Sequence, residues 1–206
     1  MNTVIPLEIR DRIVRVAERV FLRSGFSRVL MDDLARELGM SKKTVYSHFA
    51  SKEDLLRAVL AIRASDADQG MEAIVSAKDS FPVKLGHLVR FIHGKVAEVS
   101  PLFLEDIRRY APECFRVVEE FRGRAIPLYF GRLFDEGTRT GHVRAQVNPD
   151  LLIRILLLSI QGIIRPDVVG ELHLHPREAL DHILAILFDG ILTPNGRKAR
   201  RALPQL

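Results

Sequence analysis

The chain has 206 residues and a formal net charge of +5, with 31 Lys+Arg against 26 Asp+Glu, 47% hydrophobic residues and one cysteine, Cys114. A single cysteine excludes an intrachain disulfide and fits a reducing compartment, and the length suffices to bury a sizeable core in one large domain or two small ones. Met1-Asn2-Thr3-Val4-Ile5-Pro6 carries no basic run leading into an apolar one, and the longest apolar stretch, 151–164, holds Arg154 and Gln161 and is too short for a bilayer. The expectation is therefore a soluble cytoplasmic protein with no membrane partner. The positive charge sits at the ends: 11 basic against 8 acidic residues up to Leu60, 16 against 18 from Ala61 to Leu192, and four cations after Thr193. The basic ends suit proximity to phosphate, and the middle does not.

Residues 7–24 read as a helix. Ile9, Ile13, Val16, Ala17, Val20 and Phe21 recur at helical spacing, with Arg10, Arg12, Arg15, Glu18 and Arg19 on the other side. Gly25 ends it. The next helix, 31–38, puts Met31, Leu34, Ala35 and Leu38 on one face, and Gly39 stands where a helix commonly closes in the left-handed region. Ser41 is placed to cap a second short helix. Val45 and Phe49, four apart, give it an inward face; Lys42, Lys43, Thr44, Ser47 and His48 give it an outward one, with Tyr46 beside them. A short helix that is apolar behind and rich in cations and hydrogen-bonding groups in front suits the major groove of DNA. Ser51 caps a long helix, 51–77, with Asp54 three residues on as a short capping box.

Phe81-Pro82 marks a break before a helix over 83–99, and Pro101 fits the first turn of a short helix ending at Tyr110. Ala111-Pro112 breaks the chain again; 113–138 reads as a helix kinked at Pro127. Asn148 and Pro149 open a helix over 150–165 that is apolar almost all round and should be buried on more than one side. Residues 166–176 read as a loop with His173 and His175, and 176–192 as an amphipathic helix. The tail from Thr193 reads as basic and mobile. With no alternating strand pattern, no repeat and no low-complexity segment, the fold class is all-α.

The run from Gly39-Met40-Ser41-Lys42-Lys43-Thr44-Val45-Tyr46-Ser47-His48-Phe49 through Ala50-Ser51-Lys52-Glu53-Asp54-Leu55 closely resembles the DNA-binding signature of TetR-type bacterial repressors. In that family the pattern is roughly Gly-Val-Ser-Lys-x-Thr-hydrophobic-Tyr-x-(His/Tyr)-Phe-x-(Ser/Asn)-Lys-Glu-x-Leu. About a dozen positions agree in order, over the first quarter of the chain. The resemblance implies a homodimeric transcriptional regulator, most simply a repressor released from a palindromic operator by a small, apolar effector. It implies a helix-turn-helix domain over 1–50 with a connecting helix from 51, a helical effector-binding and dimerisation domain over 51–192, and the basic tail 193–206. Double-stranded DNA would be met by Ser41, Lys42, Lys43, Thr44, Tyr46, Ser47, His48 and Lys52. Of these, Tyr46, His48 and Lys52 are assigned to the phosphate backbone, Lys52 at a helix start that itself attracts phosphate. One position departs from the family: the Ser or Thr usual before the second helix is Leu30. That removes a cap worth about 1 kcal/mol and one expected phosphate contact.

Plainer readings stand beside these. Exposed cations at a helix start are common, and Tyr46 reads equally as a core aromatic with a wet hydroxyl. The aromatics clustered between Phe81 and Phe134 read as ordinary core; the resemblance implies instead an effector cavity lined by some of them, with Phe91, Phe103, Tyr110, Phe115 and Phe130 as candidates. His173 and His175 with Glu171 are too few ligands for a metal site. No cofactor motif, phosphate loop or nucleophile pairing is present, so no catalytic residue is assigned and an enzyme is not expected. For the dimer, helices 150–165 and 176–192 pair with their symmetry mates as a four-helix bundle, through Leu152, Leu156, Ser159, Ile160, Ile163, His182, Ile186 and Asp189. Small residues at Ser159, Gly162, Ala185 and Gly190 would let the helices approach closely. The rival reading makes both helices the core of a single chain.

Overall fold

The computed structural model describes residues 9–201. Their regular structure is helical: α1 (Ile9–Ser24), α2 (Met31–Leu38), α3 (Lys42–His48), α4 (Lys52–Ser76), α5 (Phe81–Ala97), α6 (Pro101–Tyr110), α7 (Pro112–Arg139), α8 (Pro149–Ile163), α9 (Pro166–Glu171), α10 (Pro176–Ile191) and α11 (Pro194–Arg201). Among the described residues no strand forms; Val143 and Leu192 meet in one isolated antiparallel bridge. The chain divides into two compact units, but not by a single cut near residue 50. The first takes the residues up to Ala64 together with Glu98–Val118, and the second takes Ser65–Ala97 and the residues from Glu119 onward.

In the first unit, α1 buries Ile13, Ala17 and Phe21 as the spacing predicted, and Val14 and Leu22 besides, while Val16 and Val20 are half-buried and Ile9 is exposed. Around it gather Leu34, Ala35 and Leu38 of α2, Val45 of α3, and Leu55, Leu56, Val59 and Leu60 of α4. The first half of α4 therefore belongs to this core and does not merely leave it. Phe103, Ile107, Ala111 and Cys114 close the same core from α6 and the start of α7. Ser100 caps α6 by accepting from Phe103 N at 3.2 Å, while its own N–H donates to Leu22 O at the same distance. Arg63 joins the ends of the unit's two chain segments, donating to Glu18 and Glu98 at 3.0 Å each. Burial pushes the Cys114 thiol up from its ordinary value.

In the second unit, α5 approaches α4 so closely that a Cβ on Gly70 would stand 2.3 Å from the Phe91 ring. Only glycine allows that contact. Phe130 and Phe134 of α7 and Phe188 of α10 form a chain of rings with centroids 5.7 and 6.5 Å apart. Lys84 and Glu136, both largely buried, pair at 2.8 Å. The Tyr129 hydroxyl donates to Asp68 Oδ1 at 3.0 Å, and Arg132 reaches Glu72 at 2.6 Å. The helix α7 continues through Pro127.

Two stretches differ from the sequence reading. Within 166–176, expected as a loop, Pro166–Glu171 forms α9. It ends before His173, whose φ of 55° lies in the left-handed region, and His175 then caps α10. The cap is reciprocal: the His175 side chain accepts from Arg177 N at 3.3 Å, while Glu178 Oε2 accepts from His175 N at 2.7 Å. The tail expected to be mobile forms α11 over Pro194–Arg201; 202–206 lie outside the described residues. Thr193 starts α11, its hydroxyl oxygen accepting from Gly196 N at 3.0 Å, and its own N–H donates to His142 O at 2.9 Å. Arg197 closes the C-terminal end of α10 by donating to Asp189 O and Leu192 O at 3.2 and 3.0 Å. A Cβ on Gly196 would meet His142 O at 2.3 Å, so glycine is what lets this helix settle there.

Candidate nucleic-acid interface

The turn between α2 and α3 is built from local signals. Gly39 adopts φ 64° and ψ 30°, and the Gly39 and Met40 amides return to Arg36 O and Ala35 O at 3.1 and 2.9 Å. Ser41 Oγ accepts from Thr44 N at 3.0 Å, capping α3. Behind α3, Val45 and Phe49 are buried, and the Arg10 guanidinium lies over the Phe49 ring at 5.0 Å. In front, Lys42, Lys43, Tyr46, Ser47 and His48 are exposed, Ser41 is exposed at the helix start, and Thr44 is half-buried. A seven-residue helix thus presents one continuous polar and cationic face.

Several of these groups already hold one another. Ser41 Oγ and Thr44 Oγ1 are 2.8 Å apart, and the Ser47 hydroxyl donates to Thr44 O at 2.7 Å. Lys42 Nζ pairs with Asp32 of α2 at 2.8 Å and lies 5.9 Å from the Tyr46 ring centre; its hydrogen bond and charge attraction to Asp32 raise its pKa. Asp32 was not singled out by the sequence reading, because its partner comes from the next helix. Lys43 and His48 remain exposed.

Lys52 does not take the outward role expected of it. Its ammonium turns into the α1–α2 turn and donates to the carbonyls of Phe26, Val29 and Ser27 at 2.9, 3.0 and 3.3 Å, with the Phe26 ring centre 4.3 Å away. Desolvation lowers its pKa, against the attraction of Glu53 and Asp106. An ammonium has three donors, and three carbonyls take them. Leu30, at the α2 N-cap, makes no capping bond and is 60% exposed.

Four of the five candidate effector aromatics are accounted for by their own unit's packing. Phe103 is buried in the first core, Phe115 packs against it, and Tyr110 is exposed; Phe130 is buried in the second core and Phe91 packs against that one. Two of the five are thus solid core, which gathers them because they are apolar. A cleft of about 400 Å³ in the second unit is lined by Val75, Arg132, Asp135, Glu136 and Arg139, a charged rather than an aromatic set.

The proposed dimer residues also separate. Leu152, Leu156 and Ile160 are buried in the chain's own core, Ser159 and Ile163 are half-buried, and His182, Ile186 and Asp189 are exposed. On α8 the exposed apolar stripe runs one residue earlier: Leu151, Ile155 and Leu158, 58, 42 and 57% exposed, continued by Gly162. Ile186 on α10, which packs on α8, is 74% exposed. Nothing local distinguishes the two faces of α8, since both are apolar.

A short exposed helix, cationic in front and anchored through Val45 and Phe49 behind a glycine turn, defines a DNA-binding protein of the helix-turn-helix class. Residues 13–59 match the model of bacterial regulatory proteins of the tetR family. Among curated relatives, the HTH-type transcriptional repressor DhaR of Mycobacterium sp. (strain GP1) is 28% identical over 197 residues, covering 89% of this chain and 92% of that protein. The HTH-type transcriptional regulator SrpR of Pseudomonas putida is 43% identical over 56 residues, 27% of this chain and 26% of its own. A transcriptional regulator from Saccharomonospora viridis solved in complex with choline shares the fold at a TM-score of 0.67 with 21% identity, covering 89% of this chain and 97% of that one. The N-terminal segment is thus similar to the DNA-binding domain of tetR-family regulators, and relatives that match over most of the chain are DNA-binding transcriptional regulators.

Proposed function

We propose that the chain is a homodimeric cytoplasmic repressor that holds a two-fold symmetric operator and releases it on binding a small molecule. The reading is carried by one observation: α8 and α10 keep Leu151, Ile155, Leu158 and Ile186 exposed although their opposite faces form the core. Apolar stripes of this kind on two packed helices suit pairing with a second copy, as a self-complementary four-helix seam. A dimer would present two α3 helices, which must lie about 34–36 Å apart to enter successive major grooves. Lys42, Lys43, Thr44, Tyr46, Ser47 and His48 would meet the duplex, with base edges read from Lys43 and Thr44 and phosphates met by Tyr46 and His48. Nothing in this role requires a catalytic group or a cofactor.

Release follows if an effector prefers a conformation with another α3 spacing; it then weakens DNA binding by its differential affinity and no more. That a structural relative was solved in complex with choline favours a small-molecule ligand for this chain as well. A second reading, a dimeric regulator without a sensor, is favoured by the dispersal of four of the five aromatics into the packing of two separate cores. Two experiments test these readings. Duplexes recovered by the protein from a random pool should converge on a palindrome, whereas a non-symmetric consensus would refute the two-fold operator. A thermal-shift screen of small organic compounds should yield a stabiliser that also dissociates the recovered duplex; a screen that yields none supports the sensor-free reading.

A further inference from the structure

The turn between α1 and α2 leads into a helix that lacks a side-chain cap, because Leu30 supplies none. The groups that hold the turn come from two other helices. From α4, Lys52 donates to the carbonyls of Phe26, Ser27 and Val29. From α6, the buried carboxylate of Asp106 accepts from both Ser27 N and Ser27 Oγ at 2.8 Å. Ser27 is thus gripped at its amide, its hydroxyl and its carbonyl. Gly25, at φ 85°, has Asp106 Oδ2 2.7 Å from where a Cβ would stand, so the carboxylate occupies the space of a side chain.

We infer that Lys52 and Asp106 are positioning residues for DNA binding: a two-sided clamp that sets the α1–α2 turn and, through it, the start of α2 and the exposed Arg28 and Leu30. The DNA-binding unit is then completed by α6, which lies outside the 13–59 segment shared with the family model. The physical reason is compensation. A helix start without its own cap is held by charge-assisted hydrogen bonds from elsewhere, which are stronger and directional. Lys52 spends its donors on this turn and has none left for a phosphate. The inference rests on the DNA-binding reading, and the test separates the two.

The test uses the full chain and a duplex that the unmodified protein recovers from a random pool. Affinity is measured over a series of salt concentrations, well below the melting temperature. Asp106→Asn keeps the shape and removes the charge; it should weaken binding about tenfold, the equivalent of one charge-assisted hydrogen bond. Ser27→Ala should weaken it less, and the double variant should bind no worse than Asp106→Asn alone, because both act through one grip. Lys52→Met should also weaken binding, with the slope of log K against log salt unchanged. A Lys52→Met slope lower by about one unit would make Lys52 a phosphate ligand and overturn the clamp. So would an Asp106→Asn protein that melts earlier yet binds as tightly as before, since the contact would then serve the fold alone. Should Asp106→Asn fail to fold, the milder Ser27→Ala decides, and unchanged affinity there overturns the inference. If the unmodified chain recovers no duplex, it is the DNA-binding reading that fails.

Discussion

Replacing Ile186 with Glu tests the proposed seam where the exposure is greatest. The side chain is 74% exposed in the single chain. About three-quarters of the ~1.5–3 kcal/mol that a fully buried Ile contributes is therefore available to an interface. The two-fold doubles the loss, to about 2–4 kcal/mol per dimer. That corresponds to roughly a 30- to 1,000-fold weaker dimer before any cost of burying two carboxylates is added. Sedimentation equilibrium from nanomolar to tens of micromolar protein would read the shift directly. Circular dichroism should show the variant still helical, because Ile186 supports no core. Leu156→Ala is the contrast: fully buried, it should cost about 2–5 kcal/mol of folding stability through a cavity and affect association only through unfolding. An Ile186→Glu protein that associates as tightly as the unmodified chain would refute the seam, and so would an unmodified chain that is monomeric at micromolar concentration.

On the DNA-binding face, Lys43→Ala or Thr44→Ala should alter the ranking of operator variants, while Lys42→Ala should weaken all duplexes alike and lower the salt slope by about one unit; competition binding against single-base substitutions distinguishes the two patterns. His93 is buried with Nε2 2.8 Å from Asp181 Oδ1, yet without a hydrogen bond of good geometry. Desolvation, opposed by Asp181 and reinforced by Arg177, lowers its pKa below the ordinary 6.5. The unfolded chain then takes up the proton more readily, so this contribution to stability is present above about pH 6.5 and lost as the pH falls below it. Melting temperatures between pH 5 and 7.5 should show that loss and a shallower one in His93→Gln; equal slopes would show that His93 is not the group responsible. Glu136→Gln leaves the Lys84 ammonium buried without its carboxylate and should cost about 3 kcal/mol in urea unfolding, against a smaller change for the paired Lys84→Met, Glu136→Leu protein. Additive losses in the double variant would contradict a buried ion pair.

The sequence by itself determined the elements whose signals are local. Gly39 closing α2, Ser41 capping α3 and the pair Val45 and Phe49 behind it lie within one or two turns of the groups they act on, and Met31–Leu38 forms the helix the spacing predicts. An outward face of cations and hydroxyls follows from the same spacing, since residues three and four apart share a side of a helix. The tertiary structure decided everything that depends on a distant partner. Lys52 finds its acceptors 23 to 26 residues away and Ser27 its carboxylate 79 residues away, separations that no periodicity encodes. On α8, apolar on both sides, a one-residue rotation separates Leu152, Leu156 and Ile160 in the core from Leu151, Ile155 and Leu158 in solvent. Only the packing of α8 against α10 and α9 makes that choice. Phe91, Phe103, Phe115 and Phe130 were placed the same way: apolar rings are driven out of water into whichever core lies nearest, and burial carries no address for a ligand. The helix α11 owes its place to His142 O and to the C-terminal carbonyls of α10, which lie beside it only once the chain has folded.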